Sequence, residues 1–572
     1  MAAVNEQGRP DWPVRPWILG GIGAVAALAV HFLVGERVRY EALIPLTLAV
    51  FISASATLFA FTLERERWRW AVVFSLVAGG ATALILYLNG SPADWSDVES
   101  WRFLSIFLCV AIAAPLFQAA RDAGGLRFPY AEAHDHAFTN VVIWIAGWIF
   151  VGIVFLLTLL LSELFALIKI SLLKDLLDKE WFWRPLMGGA FGTAVGVLRE
   201  QDRIVRPLQR VIVAILAVLA PVLAIGLVLF LASLPFTGLD ALWSATRSTT
   251  PILLSCIVGA LILANGVIGN GEDTRLKHRV LGYAAVALGV VILPLAVIAL
   301  VSTLTRVGQY GFTPDRLWAI TFDVIAIIYG AAYLAIILWK RRDWMEAIRP
   351  ANMKLAIGLC ALALFLALPI LNFNAISTRD QVARLESGKV RPDRFDWAAL
   401  RFDFGASGQK ALDRLAKSPN AAIRAEAERA LKVANRWDLR EIAERRVAAD
   451  TVRATITVKP KAVPLPDGLL EAFSLATGPD TVNGIYYEAG ADTAVLVVRQ
   501  CKECAINVSQ ARRLPQGGWD VRRAREWGGQ NGSEAEDRAA EAEAIREGRF
   551  TIETVTRKQV FLDGKPVGET FE

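Results

Sequence analysis

The chain has 572 residues, of which 55% are hydrophobic and 20% charged, and its mean hydropathy is +0.42. That is too apolar for an ordinary soluble enzyme and too charged for a chain lying wholly in lipid, so two regions of opposite character are expected. Lys and Arg number 61 against 55 Asp and Glu; the formal charge of +6 carries no dense basic block, which argues against nucleic acid as a partner, and five cysteines are too few for a disulfide scaffold.

From the N-terminus, ten apolar stretches each have the length needed to cross the ~30 Å hydrocarbon core of a bilayer. They are Pro16 to Val34, Ala42 to Leu63, Trp70 to Leu88, Phe103 to Ala120, Phe138 to Leu161, Val211 to Leu234, Pro251 to Ile268, Val280 to Leu304, Leu317 to Trp339 and Met353 to Phe373. The first lacks a small-residue cleavage site and is followed at once by a second, so it reads as a retained helix rather than a signal peptide.

Loop charges conflict with a count of ten. Arg65, Arg67 and Arg69 put the second loop in the cytoplasm, and Lys340, Arg341, Arg342 and Arg349 do the same for the last loop, which ten crossings forbid. An eleventh crossing at Trp181 to Leu198, followed by Arg199, Arg203, Arg206 and Arg210, restores parity. The N-terminus then lies in the cytoplasm, and the acidic loop Asp94, Asp97, Glu99 and the C-terminal tail lie in the periplasm. In the eleventh segment Gly188, Gly192 and Gly196 share one helical face, the spacing of close helix packing. Between it and the fifth span, Ile168 to Lys179 is amphipathic and is expected to lie along the outer interface.

Ionisable residues inside spans are expensive and mark either a packing contact or a functional site. Glu163 and His31 lie near span ends. Asp323 is about two turns inside its helix, within expected reach of Arg306, Arg316 or Arg247; ion pairing is weighed there ahead of a proton or ion relay. His134 and His136 sit at a span entrance, where metal coordination with Glu132 or Asp135 is the less economical reading. Glu64 and Glu66 alternate with Arg65 and Arg67 as an ordinary charged turn. The loop Arg306 to Arg316, RVGQYGFTPDR, reads as a rigid connector in which Gly311 takes a positive φ and Thr313 caps the next helix. Pro221 and Pro294 are expected to interrupt their helices.

After Phe373 the chain turns polar. Phe395 to Asp450 has helical spacing, with a start signal at Ser418-Pro419, and resembles a HEAT-like helix pair. From Thr451 alternation in VRATITV, AVLVVRQ and FTIETV, and a turn at Asp563-Gly564, point to a small β-rich module; Gly528 to Glu547 reads as a polar loop entering a charged helix. Cys501 and Cys504 follow one of these strands. In an oxidising compartment they suit a disulfide across a tight loop; an unpaired pair, or a redox or metal role, is the alternative, although the tail has no histidine.

The fold expected is an all-α polytopic transmembrane bundle of about 10 to 11 spans followed by a soluble α+β domain. Its parts are a cytoplasmic segment over 1–15, the bundle over 16–373, a helical subdomain over 374–450 and a β-rich subdomain over 451–572. Phosphate-cradling, dinucleotide, zincin and serine-hydrolase signatures are missing, so no catalytic residue, metal or cofactor is assigned.

Arg15-Pro16-Trp17, Trp183-Arg184-Pro185 with FGTAV after it, SLPFTGLDALWSAT, RVGQYGFTPDR, STRDQVARLESG and FDWAALRFDFGASGQKAL together resemble a bacterial family, domain of unknown function 4153. The likeness runs from the first span to about Leu415. It implies an integral inner-membrane protein of Gram-negative bacteria with an appended C-terminal domain and no established activity; members often carry a cysteine pair in the tail, as at Cys501 and Cys504. The reading favoured is a non-enzymatic scaffold whose partners are the lipid bilayer and an envelope protein, with a transporter or lipid-handling protein as the alternative.

Overall fold

The computed structural model describes residues 12–35, 42–245, 249–269, 279–461, 463–478, 481–501, 504, 506–515, 517–523, 542–552, 558–562 and 565–571. By internal contacts the chain divides into one unit of residues 1–387 and 402–411 and a second of 388–401 and 412–572.

The first unit is helical: α1 (Arg15–Val34), α2 (Leu43–Thr62), α3 (Trp68–Asn89), α4 (Asp97–Asp122), α5 (Tyr130–Leu167), α6 (Leu172–Leu177), α7 (Glu180–Glu200), α8 (Asp202–Ala245), α9 (Thr249–Ile268), α10 (Arg279–Tyr310), α11 (Pro314–Lys340), α12 (Trp344–Ala367) and α13 (Phe373–Glu386). Among the described residues ten helices are long and apolar enough to cross a bilayer, namely all of these except α6, α7 and α13. The chain is a multi-pass membrane protein. Side chains such as Val25, Phe32, Val77, Ile149, Leu160, Val218 and Leu229 lie bare on the outside of the bundle, as lipid-facing positions require.

Polar contacts sort the helix ends onto two rims. On one, Arg15 opening α1 pairs with Glu64 just beyond α2 and with Glu200 ending α7, the Arg67 guanidinium before α3 donates to the carbonyl of Arg121 near the end of α4, and His136 early in α5 meets Asp122. Arg349 early in α12 donates to the Ile268 carbonyl ending α9, at 3.1 Å. On the other rim, Asn89 ending α3 donates to the Glu99 carbonyl of α4, Arg102 donates to the Leu371 carbonyl beyond α12, and Asn374 of α13 donates to Ser96 Oγ. These are the Arg15 rim and the Ser96 rim.

The eleventh rim-to-rim helix is α7. It runs antiparallel to α1 over its whole length, from Glu180 near His31 to Glu200 at Arg15. Gly188 stands against the Gly23 backbone, Gly192 against the Leu19 carbonyl and Gly196 against Pro16, so the two backbones touch where side chains would normally separate them. Its Glu180, Arg184 and Pro185 dilute the apolar signal that α1 carries undisturbed.

Three expectations are corrected. The Ile168 to Lys179 segment is no long interfacial helix: α5 continues to Leu167, Lys169 takes φ 64°, and only Leu172–Leu177 is helical, folding back so that Lys174 lies 3.3 Å from Glu163. Pro221 and Pro294 do not interrupt their helices, α8 and α10; the break in α8 falls instead at Gly238, with φ 73°. The helix after Ser418 begins at Ala421, because the Asn420 side chain accepts the Ala422 and Ile423 amides and is the cap.

Helix α14 (Gly405–Leu415) begins in the first unit, where Gly405 adopts φ 53° beside Asn374. The second unit holds α15 (Ala421–Lys432) and α16 (Arg436–Val452), joined by an Arg446 to Glu426 pair at 2.9 Å, and α17 (Leu469–Ala472). Its sheet has the order β1 (Thr457–Lys459), β2 (Val482–Tyr487), β3 (Thr493–Arg499), β4 (Asn507–Arg513) and β5 (Trp519–Arg523), with β1 parallel to β2 and the rest antiparallel. One face packs Ile485, Leu496 and Val498 on Leu470 and Phe473; the other packs Val482 and Val497 on Ala542, Ile545 and Phe550. Gly484 permits that second layer, since a Cβ there would lie 2.9 Å from Ile545 and Phe550. A separate hairpin pairs β6 (Lys558–Leu562) with β7 (Lys565–Phe571). The Asp563-Gly564 turn, most of FTIETV and most of the Gly528 to Glu547 segment lie outside the described residues.

Candidate functional site

The last carbonyls of a helix have no partner within it and carry the negative end of the helix dipole, so a buried C-terminus needs donors from elsewhere. At the Arg15 rim the α2 C-terminus receives three. Arg199 of α7 donates to the Ala60 carbonyl at 2.8 Å, Gln118 of α4 to Phe61 at 2.7 Å, and Arg121 of α4 to Thr62 at 2.5 Å. Glu64, one residue past the cap, closes the knot by pairing with Arg15 at 2.7 Å, Arg199 at 2.6 Å and Arg121 at 3.9 Å.

Glu200 adds a second pair to Arg15 at 3.0 Å, and Asp122 bridges Arg121 and His136. Three guanidinium groups thus face three carboxylates, and all six side chains are largely buried, Arg121 at 1% exposure. The sequence read Glu64 as a surface turn. Its partners come from three other helices, which no local spacing reveals.

A second polar layer crosses the α9–α12 half of the bundle. Asn265 of α9 donates to Tyr333 Oη of α11 at 2.9 Å, and Asn352 of α12 donates to Asn265 Oδ1 at 2.7 Å. Toward the Ser96 rim, Thr303 of α10 lies 2.8 Å from Asp323 Oδ2 and 3.1 Å from the Thr250 hydroxyl of α9. Asp323 itself is fully buried and its Oδ1 has no partner among the described residues.

Neither Arg306 nor Arg316 pairs with Asp323. Arg316 donates to the Gly311 carbonyl at 2.6 Å and stacks on Tyr310, and Arg306 is half-buried in α10 with no carboxylate paired to it among the described residues. Arg316 lies two turns of α11 from Asp323 toward the rim, and Arg306 lies one turn of α10 beyond Thr303 in the same direction. Arg247 lies outside the described residues. Glu163 is 71% exposed and pairs only with Lys174. His136 is taken up by Asp122, while His134 sits between the Tyr130 and Phe138 rings.

At the Ser96 rim α13 grips the α10–α11 turn. Asp380 accepts the Phe312 amide at 2.8 Å, Gln381 donates to the Tyr310 and Phe312 carbonyls at 2.8 and 2.9 Å, and Arg384 donates to Gln309 at 2.6 Å. Gly311, with φ 80°, makes room: a Cβ there would lie 2.5 Å from Asp380 Oδ2. Thr313 caps α11 through the Arg316 amide. In the second unit Cys501 and Cys504 are joined in the β3–β4 connection, with the buried Arg499 donating to the Cys501 carbonyl at 3.1 Å.

The glycine face of α7 is filled by the α1 backbone and offers no space for a substrate. A hollow of about 420 Å³ between α1 and α2 is open to the outside and lined by Val25, Ala29, Phe51, Ile52 and Ser55. No curated protein and no solved structure matches the chain. The family described as a domain of unknown function, DUF4153, matches residues 22–415, which include Glu64 with its partners Arg121 and Arg199, Asp323 and the α13 grip, and the chain belongs to that family.

Proposed function

We propose that the bundle is a bacterial inner-membrane anchor which mounts the C-terminal unit on the periplasmic side, where that unit binds an envelope protein. The α13 grip carries this reading. Four side-chain contacts from Asp380, Gln381 and Arg384 fix the chain just where it leaves the bundle, as a mount requires and a loose tether does not. Orientation follows from the loop charges: Arg65, Arg67, Arg69, Lys340, Arg341 and Arg349 gather at the Arg15 rim, whereas Asp97 and Glu99 open α4 at the Ser96 rim. The Arg15 rim is then cytoplasmic.

Crosslinking in cells with the full chain, compared with a chain ending at Ser387, tests the reading. One envelope protein should be captured by the full chain alone; equal capture by both would sink the proposal. A transporter or lipid-handling role is the second reading, and the unpartnered Asp323 Oδ1 favours it. There Asp323→Asn abolishes the phenotype at unchanged abundance, while an anchor tolerates it.

A further inference from the structure

We propose that Asp323 is a proton-binding site inside the bundle: its carboxyl is held neutral and donates a hydrogen bond to Thr303. This stands apart from the anchor reading and does not depend on it.

The charges around it come first. Asp323 is fully buried in the face of α11 that continues through Ala326, Gly330 and Tyr333. Helix α9 has no charged residue at all, and α10 offers only Arg306 near this end. On α4, Arg102 is spent on the Leu371 carbonyl and on Glu99, and Glu99 also accepts from the Ser96 amide.

 On α13, Asp380 and Arg384 are held by the α10–α11 turn, and the charged groups of α12 (Glu346, Arg349 and Lys354) lie in its first turns at the opposite rim. No cation reaches the carboxyl among the described residues. Trp101, Trp318, Phe322 and Phe373 form an aromatic cluster around the turns of α11 between Asp323 and the Ser96 rim.

The hydrogen atoms decide the protonation state. If Asp323 is ionised, the single Thr303 hydroxyl must donate to it, leaving a full charge in the membrane interior with one neutral donor, whereas buried carboxylates are held by several donors or a cation. If Asp323 is neutral, each proton has a place. Asp323 donates to Thr303 Oγ1 at 2.8 Å, Thr303 donates to the Ala299 carbonyl at 3.0 Å, and Thr250 donates to Thr303 Oγ1 at 3.1 Å. Only Oδ1 is left over, as an uncharged acceptor, and that is the atom without a partner.

Infrared difference spectroscopy on the full chain in lipid nanodiscs tests this, wild type against Asp323→Asn at neutral pH. The expected result is a protonated-carboxyl C=O band, shifted in D2O and lost in the variant, with an unchanged melting midpoint because Asn is a neutral isostere. Carboxylate bands at neutral pH in place of that band would overturn the proposal, as would a raised midpoint in Asp323→Asn, the mark of a buried charge relieved. Should the variant fail to fold, Thr303→Val gives a second reading: the band must persist and move to higher frequency as its hydrogen bond is lost, and an unmoved band counts against the assignment. A band that vanishes when sodium replaces choline identifies a cation site and also overturns it.

Discussion

Arg15 and Glu200 are paired at 3.0 Å at one end of the α1–α7 contact, and His31 and Glu180 approach to 3.9 Å at the other. Two antiparallel helices matched at both ends run side by side over the same depth of the bundle. A bundle in which α7 crosses the membrane beside α1 has an odd number of passes and its two ends in different compartments. In a chain whose native cysteines are replaced by serine, single cysteines at Lys340 and Ser387 should be labelled by an impermeant maleimide from opposite sides. Labelling from the same side removes α7 from the membrane.

Gly192 is the tightest point of that contact, where an added Cβ falls on the Leu19 carbonyl, whereas around Gly152 there is open space. Gly192→Ala should cost about 3 kcal/mol, the upper range for overpacking against an unyielding backbone. Gly152→Ala should be neutral. Thermal melting of the purified protein in detergent reads both, and equal midpoints would show that α1 and α7 are not packed backbone to backbone.

Glu64→Gln leaves Arg15, Arg121 and Arg199 facing one another with a carboxylate removed from their midst. Breaking a buried ionic group in this way costs about 3–5 kcal/mol. Glu163→Gln, at an exposed pair, should change stability by less than about 0.5 kcal/mol. High salt should not reproduce the first effect, because the knot is shielded from solvent ions; a salt-sensitive midpoint would place these groups in water.

Gly311→Val introduces a branched side chain at φ 80°, against Asp380, Gln381 and Arg384. The α13 grip should open, and trypsin should cut after Arg379 and Arg384 well before it does in the wild type. Asp380→Ala, which orphans only the Phe312 amide, should produce a weaker form of the same change, about 1–3 kcal/mol. Unchanged cleavage in both variants would mean that α13 is held by other means.

The bond between Cys501 and Cys504 closes a loop with a sequence separation of only 3, so it constrains little of the unfolded chain. Replacing both by serine should cost the second unit about 2 kcal/mol and leave the bundle unaffected. Denaturation followed through Trp519 fluorescence measures the loss, and a much larger one would assign the bond to more than that loop.

The spans were legible because a bilayer demands some twenty consecutive apolar residues, a pattern confined to a short window of sequence. The composition of α7 hides it from hydropathy, and a helix there was expected only from the sign of the flanking loops. Strand β3 showed itself by alternation, whereas β2 did not, since it is buried on both faces and carries Gly484 where a side chain would mark the period. The Glu64 knot was illegible for a different reason: its members are ordinary loop charges until four helices bring them together. Asp323 was found because a carboxylate within an apolar run is costly wherever it stands, but its partner is the Thr303 hydroxyl of α10, and nothing in the spacing distinguishes that from an arginine at the rim.

The close fit of α1 to α7 sets an order on biosynthesis. Four other passes are made between the two, so the ribosome releases α7 on the order of ten seconds after α1. Throughout that interval the glycine backbone of α1 is bare, facing lipid or an insertase in place of its final neighbour. Assembly of the N-terminal half therefore waits for a helix made late, and a nascent chain arrested before Glu200 would hold its first helix without a permanent place.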